Sequence, residues 1–94
     1  MITRVVKMTF EASHCANFER VFEERKAQIA AFEGCQGVAL KRSADNAPIY
    51  FTLSTWESEE ALNTYRQSPL FEATWSTVKQ WFAAKPEAWS LKAV

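Results

Sequence analysis

Apolar and polar positions alternate from Ile2 to Phe10. Ile2, Val6, Met8 and Phe10 share one side with Arg4, while Thr3, Val5, Lys7 and Thr9 share the other. Side chains point alternately to the two faces of a strand, so this period of two predicts a first strand over Ile2 to Phe10. From Cys15 to Phe32 the period changes. Phe18, Phe22, Arg25, Ile29 and Phe32 recur at helical spacing with Val21 beside them, which predicts an amphipathic helix. Ser13 or Asn17 is expected to cap its start. Gly34 stands where the chain leaving a helix favours a left-handed residue.

Cys35 to Ser43 reads as a second strand and Tyr50 to Trp56 as a third, joined by the turn-rich Ala44-Asp45-Asn46-Ala47-Pro48. The third strand carries bulky groups on both sides, Tyr50 and Trp56 on one, Phe51 and Leu53 on the other. Ser58 is placed to cap a short helix, and Glu59 and Glu60 suit the positive end of its dipole. Ser68-Pro69 starts a longer helix as cap and first-turn proline. Phe71, Trp75, Val78 and Phe82 form its inward stripe, and Pro86 is expected to stop it. Ala88 to Val94 reads as a last strand.

The order β-α-β-β-α-β predicts an α+β, ferredoxin-like fold over residues 1–94 as a single domain. Right-handed crossovers and short loops favour an antiparallel sheet in the order 4-1-3-2 with the helices on one face. Two helical segments cover only one side of such a sheet. The other side still carries apolar groups, and stacking it on a second copy would bury them. The expected partner is therefore a second copy of the chain, in a symmetric homodimer.

Composition narrows the possibilities. Eleven basic residues balance eleven acidic ones, which argues against a nucleic-acid partner. No apolar run is long enough to cross a membrane, and Met1 leads almost directly into the strand pattern rather than into a signal peptide. The expected location is the cytoplasm. Cys15 and Cys35 flank the first helix, which would hold them about 25–30 Å apart. A disulfide needs Cα atoms within about 7 Å, so both are read as free thiols.

Several segments together resemble the antibiotic biosynthesis monooxygenase family of dimeric α+β barrels. They are Phe32-Glu33-Gly34-Cys35-Gln36-Gly37, Thr55-Trp56-Glu57-Ser58, Tyr65-Arg66-Gln67-Ser68 and Phe71-Glu72-Ala73-Thr74-Trp75. The resemblance spans nearly the whole chain and implies fold and dimerisation more than chemistry, because the family includes cofactor-free oxygenases, heme-degrading enzymes and members of unknown role. The heme-degrading members carry a histidine ligand on the second long helix, a tryptophan ten residues earlier and an asparagine in the first strand. Here those helix positions hold Trp75 and Tyr65, and the first strand has no asparagine. Tryptophan offers no lone pair to iron, so heme degradation is disfavoured.

The resemblance places Tyr65 and Trp75 where related enzymes line the active pocket. Trp56, Phe71 and Trp81 are candidate substrate contacts, although helical spacing equally explains Phe71 as core. The family implies a cofactor-independent monooxygenase acting on a small aromatic, phenol- or quinol-like substrate. Tyr65 and Trp75 would orient the ring, and Arg4 or His14 would stabilise or accept charge. His14, the only histidine, is a candidate base, but its ordinary reading is a solvated residue before a helix. No metal-ligand cluster or glycine-rich phosphate loop is present, so neither cofactor nor metal is expected. The alternative is a non-catalytic barrel that binds a small hydrophobe or serves in a stress response. Ring isomerisation, as in lactone isomerases of similar architecture, would need a placed base.

Overall fold

The computed structural model describes all 94 residues. The elements are β1 (Ile2–Thr9), a 3₁₀ turn (Ala12–His14), α1 (Cys15–Ala30), β2 (Cys35–Arg42), β3 (Ile49–Trp56), α2 (Glu59–Arg66), α3 (Pro69–Lys79) and β4 (Glu87–Leu91). The sheet order is β2-β3-β1-β4 with every pair antiparallel, which is the expected ferredoxin-like topology.

Register decides which side chains meet the helices. Arg4 lies opposite Ser54 on β3 and Ser90 on β4, and Met8 lies opposite Tyr50. These residues share one face with Val6 and Leu40. Helix residues Phe18, Val21, Trp75 and Val78 pack onto that face around Met8, Phe10 and Tyr50. Tyr50, Phe10 and Trp56 are fully buried. Packing of this kind, rather than helix propensity, holds short helices in place.

The other face is open. Val5 stands between Leu53 and Trp89, and Thr3 lies opposite Leu91. Leu53, Trp89 and Leu91 are 36%, 43% and 50% exposed. Lys7 and Glu87 pair across this face at 3.7 Å.

Three local expectations are corrected. Neither Ser13 nor Asn17 caps α1. The 3₁₀ turn leads in, His14 takes the cap position without a side-chain cap bond, and Asn17 instead reaches the His14 ring at 3.0 Å. α3 stops at Lys79, well before Pro86. Phe82 pairs with Phe10 as a β-bridge, and the Ala83 amide donates to the Thr9 carbonyl at 2.8 Å. Those sheet contacts pull the chain out of the helix before proline can act. The last strand begins at Glu87 and ends at Leu91. Cys15 and Cys35 are free thiols.

Candidate functional site

Two serines place the aromatic helices. Ser58 caps α2, its Oγ accepting from the Ala61 amide at 3.1 Å. Ser68 is buried and works in both directions. Its Oγ accepts from the Phe71 amide at 3.2 Å, while its hydroxyl donates to the Tyr65 carbonyl at 2.6 Å. One side chain thus ties the last turn of α2 to the first turn of α3. At the other end of α2, Gly34 has φ +86°, and a methyl group added there would lie 2.5 Å from the Ala61 Cβ. The Gly34 carbonyl accepts from the Glu57 amide at 2.8 Å. α2 is therefore pressed directly onto the chain that leaves α1.

The result is a run of touching rings. Phe32 meets Tyr65 edge-on at 5.3 Å, and Tyr65 stacks on Trp56 at 4.9 Å. Phe71 meets Tyr65 at 5.3 Å and stacks on Trp75 at 5.8 Å, and Trp75 meets Phe82 at 5.4 Å. Edge-to-face and offset pairs of this type add about 0.5–1.5 kcal/mol each beyond burial.

Between these helices and the sheet lies a cavity of about 330 Å³. Most of its wall is apolar, with Val6, Met8, Ile29 and Leu62 among the lining residues. Tyr65, Phe71 and Trp75 form its aromatic side. Small-molecule sites share this character, an apolar wall with few polar groups.

The polar groups are mostly donors and cations. Arg4, Arg25 and Arg66 line the cavity with Thr52, Ser54 and Thr74. Arg4 donates to the Ser90 Oγ at 3.0 Å, and Arg25 donates to the Thr74 Oγ1 at 3.1 Å. Burial, followed by the positive charge of Arg66, lowers the Arg4 pKa from its ordinary value; arginine nevertheless remains a cation in proteins. Burial, with a smaller contribution from Cys35, pushes the Tyr65 hydroxyl up to about 12. Tyr65 is thus a hydrogen-bond donor at neutral pH, not a base. Glu87 is the only carboxylate-bearing residue of the lining, and its side chain pairs with Lys7. No group of three or more His, Cys, Asp or Glu side chains is placed to hold a metal ion.

Of the residues singled out from the sequence, Arg4, Tyr65, Phe71 and Trp75 lie together on the cavity wall. Trp56 is 0% exposed, supports Tyr65 from behind, and donates from Nε1 to the Ser54 Oγ at 2.9 Å. His14 and Trp81 stack on each other at 5.6 Å and are not among the residues lining the cavity. Sequence reasoning passed over Arg25 and Arg66. Arg25 was legible as the one charged member of an otherwise apolar helical stripe. Arg66 was not, because an arginine in a last helical turn is ordinarily a solvated partner of the helix dipole.

The family model of antibiotic biosynthesis monooxygenase matches residues 1–76. A Caulobacter crescentus protein provisionally assigned to that class is 28% identical, with a TM-score of 0.90 over 99% of this chain and 89% of that one. A Bordetella bronchiseptica protein with the same provisional assignment is 26% identical, with a TM-score of 0.87 over 99% and 96%. SnoaB from Streptomyces nogalater, a cofactor-independent oxygenase solved as its N63A mutant, is 23% identical, with a TM-score of 0.86 over 98% and 91%, and shares the fold. No curated protein matches the chain. With its sheet order, its aromatic helices and a family match over most of its length, the chain belongs to the antibiotic biosynthesis monooxygenase family.

Proposed function

We propose that this protein is a cofactor-independent monooxygenase of a small phenol-, quinol- or anthrone-like substrate. The observation that carries the reading is the cavity of about 330 Å³ whose wall holds Tyr65, Phe71 and Trp75 together with Arg4. Such substrates are electron-rich and become reactive toward dioxygen once deprotonated. The substrate loses a proton to give a resonance-stabilised anion. The anion passes one electron to dioxygen, and the resulting radical pair collapses to a carbon–oxygen bond. Protonation gives a hydroperoxide, and loss of water leaves a carbonyl. Net, a CH₂ group becomes C=O and the second oxygen atom leaves as water.

The protein's part is positioning and electrostatics. Phe71 and Trp75 hold the flat ring and exclude water. The Tyr65 hydroxyl and the Arg4 guanidinium donate to the developing oxyanion. A fixed positive charge in a site of low dielectric lowers the pKa of the substrate, and solvent water accepts the proton where the cavity lining reaches solvent at the exposed Arg66. The open sheet face, with Leu53, Trp89 and Leu91 exposed on it, supports a homodimer as the working form.

Oxygen uptake with a panel of polycyclic phenols and anthrones tests the reading. Turnover above a heat-killed control is expected, and none across the panel would remove it. A second reading, binding of a small hydrophobe without turnover, is favoured by one observation: His14 does not line the cavity and Glu87 is paired with Lys7, which leaves no free base at the ring. Ligand-dependent stabilisation without oxygen uptake is its signature.

A further inference from the structure

We propose that the ligand of this cavity is an aromatic acid, a flat ring system carrying a carboxylate that Arg4 and Arg66 hold at the mouth while Phe71 and Trp75 hold the ring. The inference rests on the oxygenase reading for the ring chemistry, but its own basis is the arrangement of charge.

Three arginines from three elements, Arg4 on β1, Arg25 on α1 and Arg66 at the end of α2, converge on one apolar cavity. None of them is in a salt bridge. The ion pairs of the chain are Lys7–Glu87, Lys26–Glu23 and Arg42–Glu19. The chain is neutral overall, with eleven acidic residues available, yet the only one in this lining is Glu87, whose side chain pairs with Lys7 on the open sheet face. Arg4 and Arg66 lie close enough for the charge of one to disfavour the charge of the other. Arg4 is partly buried and Arg66 exposed, so the cost of the neighbouring like charge falls on Arg4, and a group of opposite sign beside it relieves that cost.

An oxyanion satisfies that arrangement. The Arg4 guanidinium uses one N–H on Ser90, and its five-donor fork leaves others for a planar carboxylate. A phenol alone would reach the site neutral at physiological pH. A carboxylate arrives already charged. It would fix the ring's orientation before any chemistry, which is how binding energy away from the reacting atom serves catalysis. Arg25, on the wall tied to Thr74, adds positive potential without occupying the mouth.

The test compares a hydroxynaphthoate with the corresponding naphthol, titrated against the protein by tryptophan fluorescence under nitrogen so that no turnover intrudes. The hydroxynaphthoate is expected to bind about tenfold more tightly, the gain of one charge-assisted contact. Arg4→Gln and Arg66→Gln should each remove most of that preference, read as the ratio of the two affinities within each variant, with the melting temperature of each variant checking that the fold is kept. Arg4→Lys, which restores charge but not the fork, should recover only part of the preference. Equal affinity for the two probes, tighter naphthol binding, or no binding of the hydroxynaphthoate overturns the proposal. So does a preference that survives both glutamine variants. Because binding is read without oxygen, this failure is separate from that of the oxygenase reading, which neutral phenols would still decide by oxygen uptake.

Discussion

The indole of Trp56 lies under the ring of Tyr65 at 4.9 Å with the planes 27° apart, and it is wholly removed from solvent. The two rings divide their labour. Trp56 is packing, and Tyr65 presents its other side to the cavity. Trp56→Ala is therefore expected to cost about 3–5 kcal/mol of stability, a large share of the roughly 5–15 kcal/mol a domain possesses. Tyr65→Phe keeps the ring and removes only the hydroxyl. It should change stability by no more than about 1 kcal/mol while lowering turnover of phenolic substrates. Chemical denaturation alongside oxygen uptake separates the two effects, and loss of folding in Tyr65→Phe would contradict the division.

Gly34 controls where α2 sits. Its positive φ and the Ala61 methyl both oppose a side chain. Gly34→Ala should destabilise by about 1–3 kcal/mol. Since α2 carries both Tyr65 and Arg66, the same change should weaken ligand binding more than a stability-matched core variant elsewhere. A thermal melt with a binding titration on each protein checks this, and unchanged stability would show that α2 is not pressed on Gly34.

The alkaline limit follows from the tyrosines. The chain has two, Tyr50 and Tyr65. Both are raised by burial first, and Tyr50 also by donating to the Glu19 carboxylate. For Tyr65 the folded value is about 12, against about 10 unfolded. An acid whose folded pKa is raised leaves the unfolded chain with fewer protons between those values. The Tyr65 contribution is thus intact below pH about 10 and declines above it, at up to about 1.4 kcal/mol per pH unit until about pH 12. Tyrosinate absorbance should be nearly absent from the folded protein at pH about 10 and should rise together with loss of near-ultraviolet dichroism. Half-ionisation near pH 10 with the fold intact would contradict the burial of both hydroxyls.

Most of the architecture was legible because it rests on local periodicity. The two-residue alternation of Ile2 to Phe10 fixed which face of β1 meets the helices, and strand order followed from handedness and loop length. What was not legible depends on contacts distant in sequence. The early end of α3 comes from Phe82 pairing with Phe10, and no local stop signal announces it. The site was half legible. Tyr65, Phe71 and Trp75, singled out from the sequence as site candidates, touch one another in the fold, whereas the convergence of Arg25 and Arg66 required the helices to be docked. His14 looked chemical because it is the only histidine, yet uniqueness in composition says nothing about position.

The open face predicts its own behaviour. Leu53 is 36% exposed on this face, directly opposite Val5. If two copies stack there, Leu53→Glu buries an unpaired carboxylate and should shift the protein from dimer to monomer by sedimentation at micromolar concentration. A wild-type protein that sediments as a monomer would contradict the stacking.

Isotopically labelled dioxygen gives the most direct test of the cavity as an oxygenase site. The protein, treated with a chelator, would be supplied with an anthrone- or phenol-type substrate and the product analysed by mass spectrometry. The account predicts one labelled oxygen atom in the new carbonyl, formation that persists after chelation, and a marked fall in Tyr65→Phe and Arg4→Gln. Product that carries no label, or a rate no greater than that of heat-killed protein, would contradict it.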